Sequence, residues 1–223
     1  VKRRFAHAWA FATLAVAVLV VAAHAWRAQA QAKPPMVEWP VYGGNLASQF
    51  YSPLDQINAR NVKDLKVAWR WHAGNFGPNP ELKSENTPLM IGGVLYATAG
   101  ATRNVAAIDA ATGETLWVWR PNEPERFKQA PRKMAGRGVA YWSDAAQDKR
   151  VFVVTPGFYL WALDATTGLP KREFGEAGVV DLRRGLRGPA DNVEAGSSSP
   201  ALVVGDVVIV GPAGGIGARP NSK

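Results

Sequence analysis

Apolar and polar residues alternate in short runs along most of the chain, and Gly, Pro, Asn and Asp separate the runs. After Lys33 the three- and four-residue apolar spacing of an amphipathic helix is nearly absent, so the pattern predicts an all-β protein. Two stretches are typical of β-hairpins: Pro88 to Thr98 around a Gly-Gly turn, and Pro200 to Gly211 around a Gly-Asp turn. A further strand is predicted over Lys149 to Val154.

One nine-residue segment occurs twice. Val105 to Gly113 reads VAAIDAATG and Leu160 to Gly168 reads LWALDATTG, with five identities in nine positions at an offset of 55. Strand-rich repeats of about 40 to 55 residues predict a β-propeller in which each unit forms one four-stranded blade. A β-sandwich adhesion or carbohydrate-binding domain also fits the strand content but leaves the repeat unexplained.

The repeated segment contains the residues that a tight turn needs. Asp109 and Asp164 can accept hydrogen bonds from nearby backbone N–H groups, and the glycine that ends each copy can adopt the positive φ of the turn. Trp117 follows the first turn, and we expect it to lie flat between its own blade and the next. In the second copy the tryptophan position is lost, or is taken by Phe174 in a different register.

The first 32 residues have the three parts of a secretory signal peptide. A basic cluster, Lys2 to Arg4, precedes an apolar run from Ala8 to Ala23, and cleavage sites of small residues end at Ala30 or Ala32. An uncleaved membrane anchor is the alternative, although the run falls short of the roughly 20 apolar residues of a spanning helix. We therefore expect residues 1–32 to be a signal peptide, with membrane association possible through this segment.

Charge and cysteine content exclude several classes of protein. The formal charge is +8, but residues 1–32 carry four basic residues and no acids, so the rest of the chain has an excess of only +4. This modest excess is spread along the chain and gives no support for nucleic-acid binding. There is no cysteine, which excludes disulfides, thiolate metal sites and cysteine nucleophiles. Residues 33–223 suffice for about three to four blades, so we expect the N-terminal part of a longer protein.

Four segments of the chain resemble a known family. EWPVYGGNLASQFYSPLDQINARNVKDLKVAWRW (Glu38 to Trp71), GRGVAYW (Gly136 to Trp142) and FGEAGVVDL (Phe174 to Leu182) are similar to the quinoprotein dehydrogenases, with the last resembling the glucose dehydrogenase branch. AAIDAATGETLWVW resembles the tryptophan-docking motif of that family. The resemblance implies an exported eight-bladed propeller that uses pyrroloquinoline quinone (PQQ).

The resemblance also implies a cofactor site. Glu85, just before the first predicted hairpin, is at the position of a glutamate that contacts the quinone, and Arg137 is at that of an arginine that binds a quinone carbonyl oxygen. A fixed cation there would polarise the carbonyl. Ser197 is where the family has a hydroxyl that binds a cofactor carboxylate, although Ser198 or Ser199 can serve equally.

The glycine-rich segment GPAGGIGARP (Gly211 to Pro220) resembles one that approaches the cofactor through its backbone. We therefore assign Gly214 and Gly215 to the cofactor site. In methanol-oxidising members this segment offers a glutamate to calcium, whereas here the matching residue is Gly215 or a neighbour. The metal ligands are therefore left unassigned, although Ca²⁺ is an expected cofactor. The alcohol-oxidising members of the family carry two adjacent cysteines, joined by a disulfide, beside the cofactor. This chain has no cysteine, which favours the sugar or polyol branch.

The implied function is oxidation of an alcohol or sugar hydroxyl in the periplasm, with electrons passing to a quinone or cytochrome. The catalytic aspartate and most calcium ligands of the family belong to later blades, so we assign no general base. Asp144, Asp148 and Asp191 are interpreted as turn residues. A non-enzymatic exported propeller scaffold that shares the docking repeats is the alternative function, and it has no need of Glu85 or Arg137.

Overall fold

The computed structural model describes residues 36–73, 76, 83–144, 146–185 and 195–211, and from Val37 onward these belong to one compact unit. Its first sheet contains β1 (Leu89–Ile91), β2 (Val94–Ala99), β3 (Asn104–Asp109) and β4 (Thr115–Trp119). The second contains β5 (Ala140–Ser143), β6 (Lys149–Val154), β7 (Tyr159–Asp164) and β8 (Val179–Asp181). A third hairpin contains β9 (Leu202–Val204) and β10 (Val207–Ile209).

Each four-stranded sheet is an antiparallel meander in chain order, β1-β2-β3-β4 and β5-β6-β7-β8. The hairpins predicted around the Gly-Gly and Gly-Asp turns form β1–β2 and β9–β10, and the strand predicted over Lys149 to Val154 is β6. The prediction of an all-β chain with four-stranded units is therefore confirmed. A six-residue helix, α1 (Pro124–Gln129), was not predicted and connects the two sheets.

The middle strands are buried on both faces. In β3 the five residues from Asn104 to Ile108 are all buried, and in β6 the last four residues are buried. A strand with one solvated face would alternate between buried and exposed positions, so both faces of each sheet must be covered. Ala106 and Ala107, with no exposed surface, allow close packing on the two faces of β3.

The hydrophobic core lies between consecutive sheets. One cluster joins Leu89, Tyr96 and Val105 of the first sheet to Val151 and Leu163 of the second. A second cluster joins the other face of the second sheet to the third hairpin, with Phe152, Leu160 and Ala162 near Val203 and Val208. Successive sheets that pack face to face in chain order are the blades of a β-propeller.

The two repeated turns have the same hydrogen bonds, as the sequence predicts. Asp109 Oδ1 accepts hydrogen bonds from the N–H groups of Ala111 (2.9 Å) and Thr112 (2.8 Å). Asp164 Oδ1 accepts equivalent bonds, both 2.9 Å, from the two residues that follow Ala165. The glycines that end the turns, at positions 113 and 168, have φ of +77° and +73°, a region that favours glycine.

Trp117 lies between the two blades, which confirms its predicted role. Its indole Nε1–H donates to the carbonyl oxygen of Ala165 in the second blade at 3.0 Å. The ring covers Gly168 so closely that a Cβ there would be 2.5 Å from Trp117 Cε3. Tyr96 Oη–H also donates to Ala165 O, at 3.2 Å, so one carbonyl of the second blade receives two bonds from the first.

An additional tryptophan, which we did not predict, docks in the same way. Trp69 Nε1–H donates to Ala110 O at 3.2 Å, and a Cβ on Gly113 would be 2.7 Å from Trp69 Cδ2. The segment before β1 therefore covers the first blade as β4 covers the second. Its sequence signal is the Trp-x-Trp spacing of residues 69–71, which recurs at residues 117–119.

Phe174 is the residue that the sequence offers in place of the tryptophan in the second copy of the repeat. It lies outside the strands, with its ring centroid 5.4 Å from that of Phe152 and its side chain against the second hydrophobic cluster. Among the described residues no helix has the length and apolar character needed to cross a bilayer. The assignment of residues 1–32 to a signal peptide lies outside the described residues and stays a prediction.

Candidate functional site

Three segments that precede the first strands of successive sheets lie side by side. Glu85 precedes β1, Arg137 precedes β5, and Ser197 precedes β9. The Thr87 N–H donates to the Arg137 carbonyl at 3.1 Å, and the Arg137 N–H donates to the Ser198 carbonyl at 2.9 Å. Equivalent positions in neighbouring blades are thus joined by backbone hydrogen bonds, which brings together the candidate residues of all three blades.

Glu85 and Arg137 form an ion pair. Arg137 Nε–H donates to Glu85 Oε2 at 3.2 Å, and Lys83 Nζ lies 2.7 Å from Glu85 Oε1. The hydrogen bond from Lys83, and then that from Arg137, hold the pKa of Glu85 below its usual value. Glu85 is therefore ionised at neutral pH, and it holds Arg137 while both side chains remain partly exposed, at 32% and 44%.

The backbone around the ion pair depends on a glycine. Gly138, next to Arg137, has φ of +124°, and a Cβ on it would be 2.7 Å from the Thr87 carbonyl oxygen. Asn86, next to Glu85, accepts hydrogen bonds through Oδ1 from both the N–H (3.2 Å) and the hydroxyl (3.0 Å) of Thr98 in β2. These contacts fix the two segments against the first sheet and against each other.

Ser197 is buried, with 2% of its surface exposed. Its hydroxyl oxygen accepts a hydrogen bond from the Ser199 N–H at 3.2 Å and lies 3.5 Å from the Ser199 carbonyl oxygen. Its hydroxyl therefore holds a local turn, whereas Ser199 lines an open cleft with Arg137. Gly214 and Gly215 lie outside the described residues, and their assignment to the site stays a prediction.

The cleft beside Arg137 has a volume of about 250 Å³. The loop of residues 41–48 forms one wall, with Tyr42, Asn45 and Ser48, and the segment of residues 199–202 forms the other. Larger clefts of about 450 and 340 Å³ around Tyr159 contain no residue of the three joined segments. We therefore place the candidate site at the cleft beside Arg137, because Arg137, the partner of Glu85, and Ser199 both line it.

Of the aspartates that we interpreted as turn residues, Asp144 holds a turn, whereas the Asp148 carboxylate forms ion pairs. Asp144 Oδ1 accepts hydrogen bonds from the N–H groups of residues 146, 147 and 148 at 2.9, 3.1 and 3.0 Å. Asp148 pairs with Arg150 and Lys171. Asp191 lies outside the described residues. Within the described part of the chain no three His, Asp or Glu side chains are grouped as a metal site would require.

Comparison with known proteins identifies the family. Residues 39–222 match the family model described as PQQ, glucose/ethanol/alcohol dehydrogenase, β-propeller domain. The chain belongs to this family. The family resemblance inferred from the opening segment and GRGVAYW is therefore confirmed, and so is the β-propeller fold.

Several relatives in the PQQ dehydrogenase family act on polyols, sugars or alcohols, according to their names. The chain is 32% identical over 190 residues to the glycerol dehydrogenase large subunit of Gluconobacter oxydans (strain 621H), covering 81% of this chain and 25% of the relative. It is 32% identical over 203 residues to quinoprotein glucose dehydrogenase A of Acinetobacter calcoaceticus, again covering 81% of this chain and 25% of the relative.

A solved structure from the same family supports the architecture. The crystal structure of quinohemoprotein alcohol dehydrogenase from Comamonas testosteroni matches with a TM-score of 0.63 and 31% identity. The match covers 80% of this chain and 23% of that one. The chain thus spans about a quarter of the length of the relatives it matches.

Sequence reasoning missed two contributors to the candidate PQQ site. The sequence signal for Lys83 is its position two residues before Glu85, from which it can bind the same carboxylate as Arg137. Arg103 has no such signal, because it is 34 residues before Arg137 and lies in the loop between β2 and β3.

Proposed function

We propose that the protein to which this chain belongs is a periplasmic quinoprotein dehydrogenase that oxidises an alcohol or sugar hydroxyl with PQQ. The proposal rests above all on Arg137, which forms an ion pair with Glu85 and lines an open cleft of a PQQ-family propeller. Electrons would pass to a quinone or cytochrome. Glycerol, glucose and alcohol dehydrogenases are all among the relatives, so the proposed substrate class includes polyols, sugars and simple alcohols.

The chemistry of the described residues fits PQQ, a planar quinone that carries three carboxylates. Arg137 offers a planar cation with several donors, and Glu85 restrains that cation from one side. The backbone bonds of Arg137 to the neighbouring segments limit its movement further. A donor held in this way needs little reorganisation when it meets an oxygen with developing negative charge.

PQQ supplies the electron-accepting carbonyl when it is bound, and the chain supplies binding and orientation. Arg137 would donate to a quinone oxygen and favour charge on it, while Glu85 keeps the guanidinium in place. The hydroxyl of Ser199, which lines the cleft with Arg137, can donate to a carboxylate of the cofactor, and Ser197 holds its turn. Ca²⁺ remains an expected cofactor, and we assign none of its ligands to this chain.

The proposal is tested on the complete reading frame that contains this chain. The apoprotein is titrated with PQQ in the presence of Ca²⁺, binding is followed by tryptophan fluorescence, and dye reduction is measured with glycerol, glucose and ethanol. We expect tight PQQ binding and substrate-dependent dye reduction. An intact, folded protein that binds no PQQ would instead support the non-enzymatic scaffold.

Arg137→Gln tests the proposed donor. We expect kcat to fall by about a hundredfold to a thousandfold, as for the loss of one positioned donor to a developing oxyanion. Arg172→Gln, which removes an exposed arginine of the second blade, is the matched control and should leave kcat unchanged. Equal effects of the two substitutions would contradict the role given to Arg137.

We also propose export to the periplasm through residues 1–32. The basic cluster, the apolar run and the small residues at Ala30 and Ala32 support this proposal. N-terminal sequencing of the protein from the periplasmic fraction should give a first residue at position 31 or 33. Recovery from the membrane fraction with residues 1–32 still attached would favour the anchor.

A further inference from the structure

Arg103 is a buried cation at the junction of the two blades. It lies in the loop between β2 and β3, its φ is +61°, and only 1% of its surface is exposed. Burial lowers its pKa to about 10, so the guanidinium is still charged at neutral pH. Burying a charged group is unfavourable unless its N–H groups have hydrogen-bond acceptors. The acceptors of Arg103 therefore show which parts of the chain it holds.

In the described part of the chain the hydrogen-bond acceptors of Arg103 are backbone carbonyls, while the charge of Glu123 offsets part of the effect of burial on its pKa. Nη1 donates to Val154 O and to Ser197 O, both at 2.6 Å. Nε donates to Met134 O at 3.1 Å, and Nη2 donates to Arg132 O at 3.3 Å. One side chain of the first blade therefore binds the end of β6 and both segments that lead into β5 and β9.

The guanidinium also lies directly against the backbone beside Arg137. A Cβ on Gly136 would be 2.7 Å from Arg103 Nε, and Gly136 has φ of +76°. Only glycine leaves room for Arg103 at this point. Arg103 therefore holds Gly136 by packing and Met134 by a hydrogen bond to its carbonyl oxygen.

A lysine cannot make the same set of contacts. Guanidinium has five N–H donors in a rigid plane and can bind carbonyls on several sides at once. Ammonium is a single point with three donors. Arg103→Lys would keep the charge but would leave some of the four carbonyls without their donor.

We propose that Arg103 is a positioning residue of the PQQ site, which fixes the segment of Arg137 and the segment of Ser197 relative to each other. Arg103 touches neither side chain and acts through the backbone of both segments. The inference rests on the proposed function, because it concerns the same site. Arg103, a residue of the first blade, thus fixes the relative position of the segments that lead into the second and third blades.

The test compares Arg103→Lys with Asn104→Ala in the full-length protein. Asn104 is the next residue, is also buried, and donates to the carbonyls of Phe76 (3.2 Å) and Ala99 (3.1 Å), away from the two positioned segments. Both substitutions should lower the denaturation midpoint. Only Arg103→Lys should weaken PQQ binding, by about tenfold or more, as is usual for residues that orient a site.

A double-mutant comparison separates positioning from general stability. If Arg103 acts through Arg137, Arg103→Lys should raise the Kd for PQQ by a smaller factor in the Arg137→Gln background than in the wild type. The same factor in both backgrounds would overturn the proposal. Unchanged PQQ affinity in a folded Arg103→Lys protein would also overturn it while leaving the proposed function intact. A wild-type protein that binds no PQQ would remove the proposed function and this inference together.

If Arg103→Lys does not fold, hydrogen exchange of the wild-type apoprotein tests whether the two segments are fixed before PQQ binds. Positioning before the cofactor arrives requires that the amides of Thr87 and Arg137, which bind neighbouring segments, exchange as slowly as those of β6. Slow exchange in peptides that cover these two amides supports the proposal. Fast exchange that slows only when PQQ is added would overturn it.

Discussion

The contact of Trp117 with Gly168 offers the sharpest test of how the blades are joined. Gly168 has φ of +73°, and a Cβ on it would be 2.5 Å from Trp117 Cε3 and 2.7 Å from Cδ2. Gly168→Ala therefore imposes two costs, one from the backbone and one from the ring. The two can be separated because Gly205 has a similar φ, +57°, and a Cβ on it would meet nothing within 4 Å.

The expected magnitudes follow from these distances. A left-handed conformation costs a non-glycine residue about 1 to 2 kcal/mol, and the reduced freedom of the unfolded chain returns about 0.4 to 1 kcal/mol. Gly205→Ala should therefore lower the free energy of unfolding by about 1 kcal/mol. Gly168→Ala adds overpacking against Trp117, about 1 to 3 kcal/mol, for a total of about 2 to 4 kcal/mol.

Removing the tryptophan should remove the second cost. In a Trp117→Ala background, Gly168→Ala should lower stability by only about 1 kcal/mol, the same as Gly205→Ala. Trp117→Ala alone should cost about 3 to 5 kcal/mol. Urea unfolding of the full-length protein, followed by far-UV circular dichroism, measures all four variants without depending on the fluorescence of Trp117.

The docking of the blades through this contact would be refuted by either of two results. One is a Gly168→Ala protein no less stable than Gly205→Ala. The other is an equal effect of Gly168→Ala with and without Trp117.

Two other predictions concern the same blade interface and its turns. Burial raises the pKa of Tyr96 from 10.0 to about 12, so its contribution to stability is complete below pH 10 and is lost as pH rises towards 12. Stability should fall by about 1 to 2 kcal/mol between pH 10 and 12, since solvent screens part of the effect. Tyr96→Phe should lower stability by about 1 kcal/mol at pH 7, by losing the bond to Ala165 O, and should make urea midpoints less sensitive to pH between 10 and 12; an unchanged slope would contradict the assignment. Asp109→Ala, which removes the acceptor for the backbone N–H groups of Ala111 and Thr112, should cost about 1 to 2 kcal/mol, and Asp109→Asn, which keeps an acceptor oxygen, should cost much less in the same assay.

The strands and turns were predictable because short-range interactions determine them. Asp109 and Asp164 bind N–H groups two and three residues ahead, so the hydrogen bonds are visible in the repeated sequence itself. The glycine that follows each turn adopts a conformation that other residues resist. The helix α1 was missed because six residues are too few to show a helical period.

Glu85 and Arg137 were identified by resemblance, and the tertiary structure brought them together. Their side chains meet across 52 residues of sequence, and no local pattern specifies that distance. The turn that the Ser197 hydroxyl holds could not be predicted from the sequence either. Ser199, one of the alternatives left open, lines the cleft instead.

The sequence by itself determined the all-β class, the hairpins, the turn chemistry and the packing role of Trp117, because each depends on neighbours a few residues away or on alternation along a strand. Only the tertiary structure decided that Trp69 covers the first blade and that Arg103 binds Ser197 across 94 residues. Such contacts depend on how one sheet packs on the next. That packing is settled by the fit of whole faces, and the pattern of any one segment does not contain it.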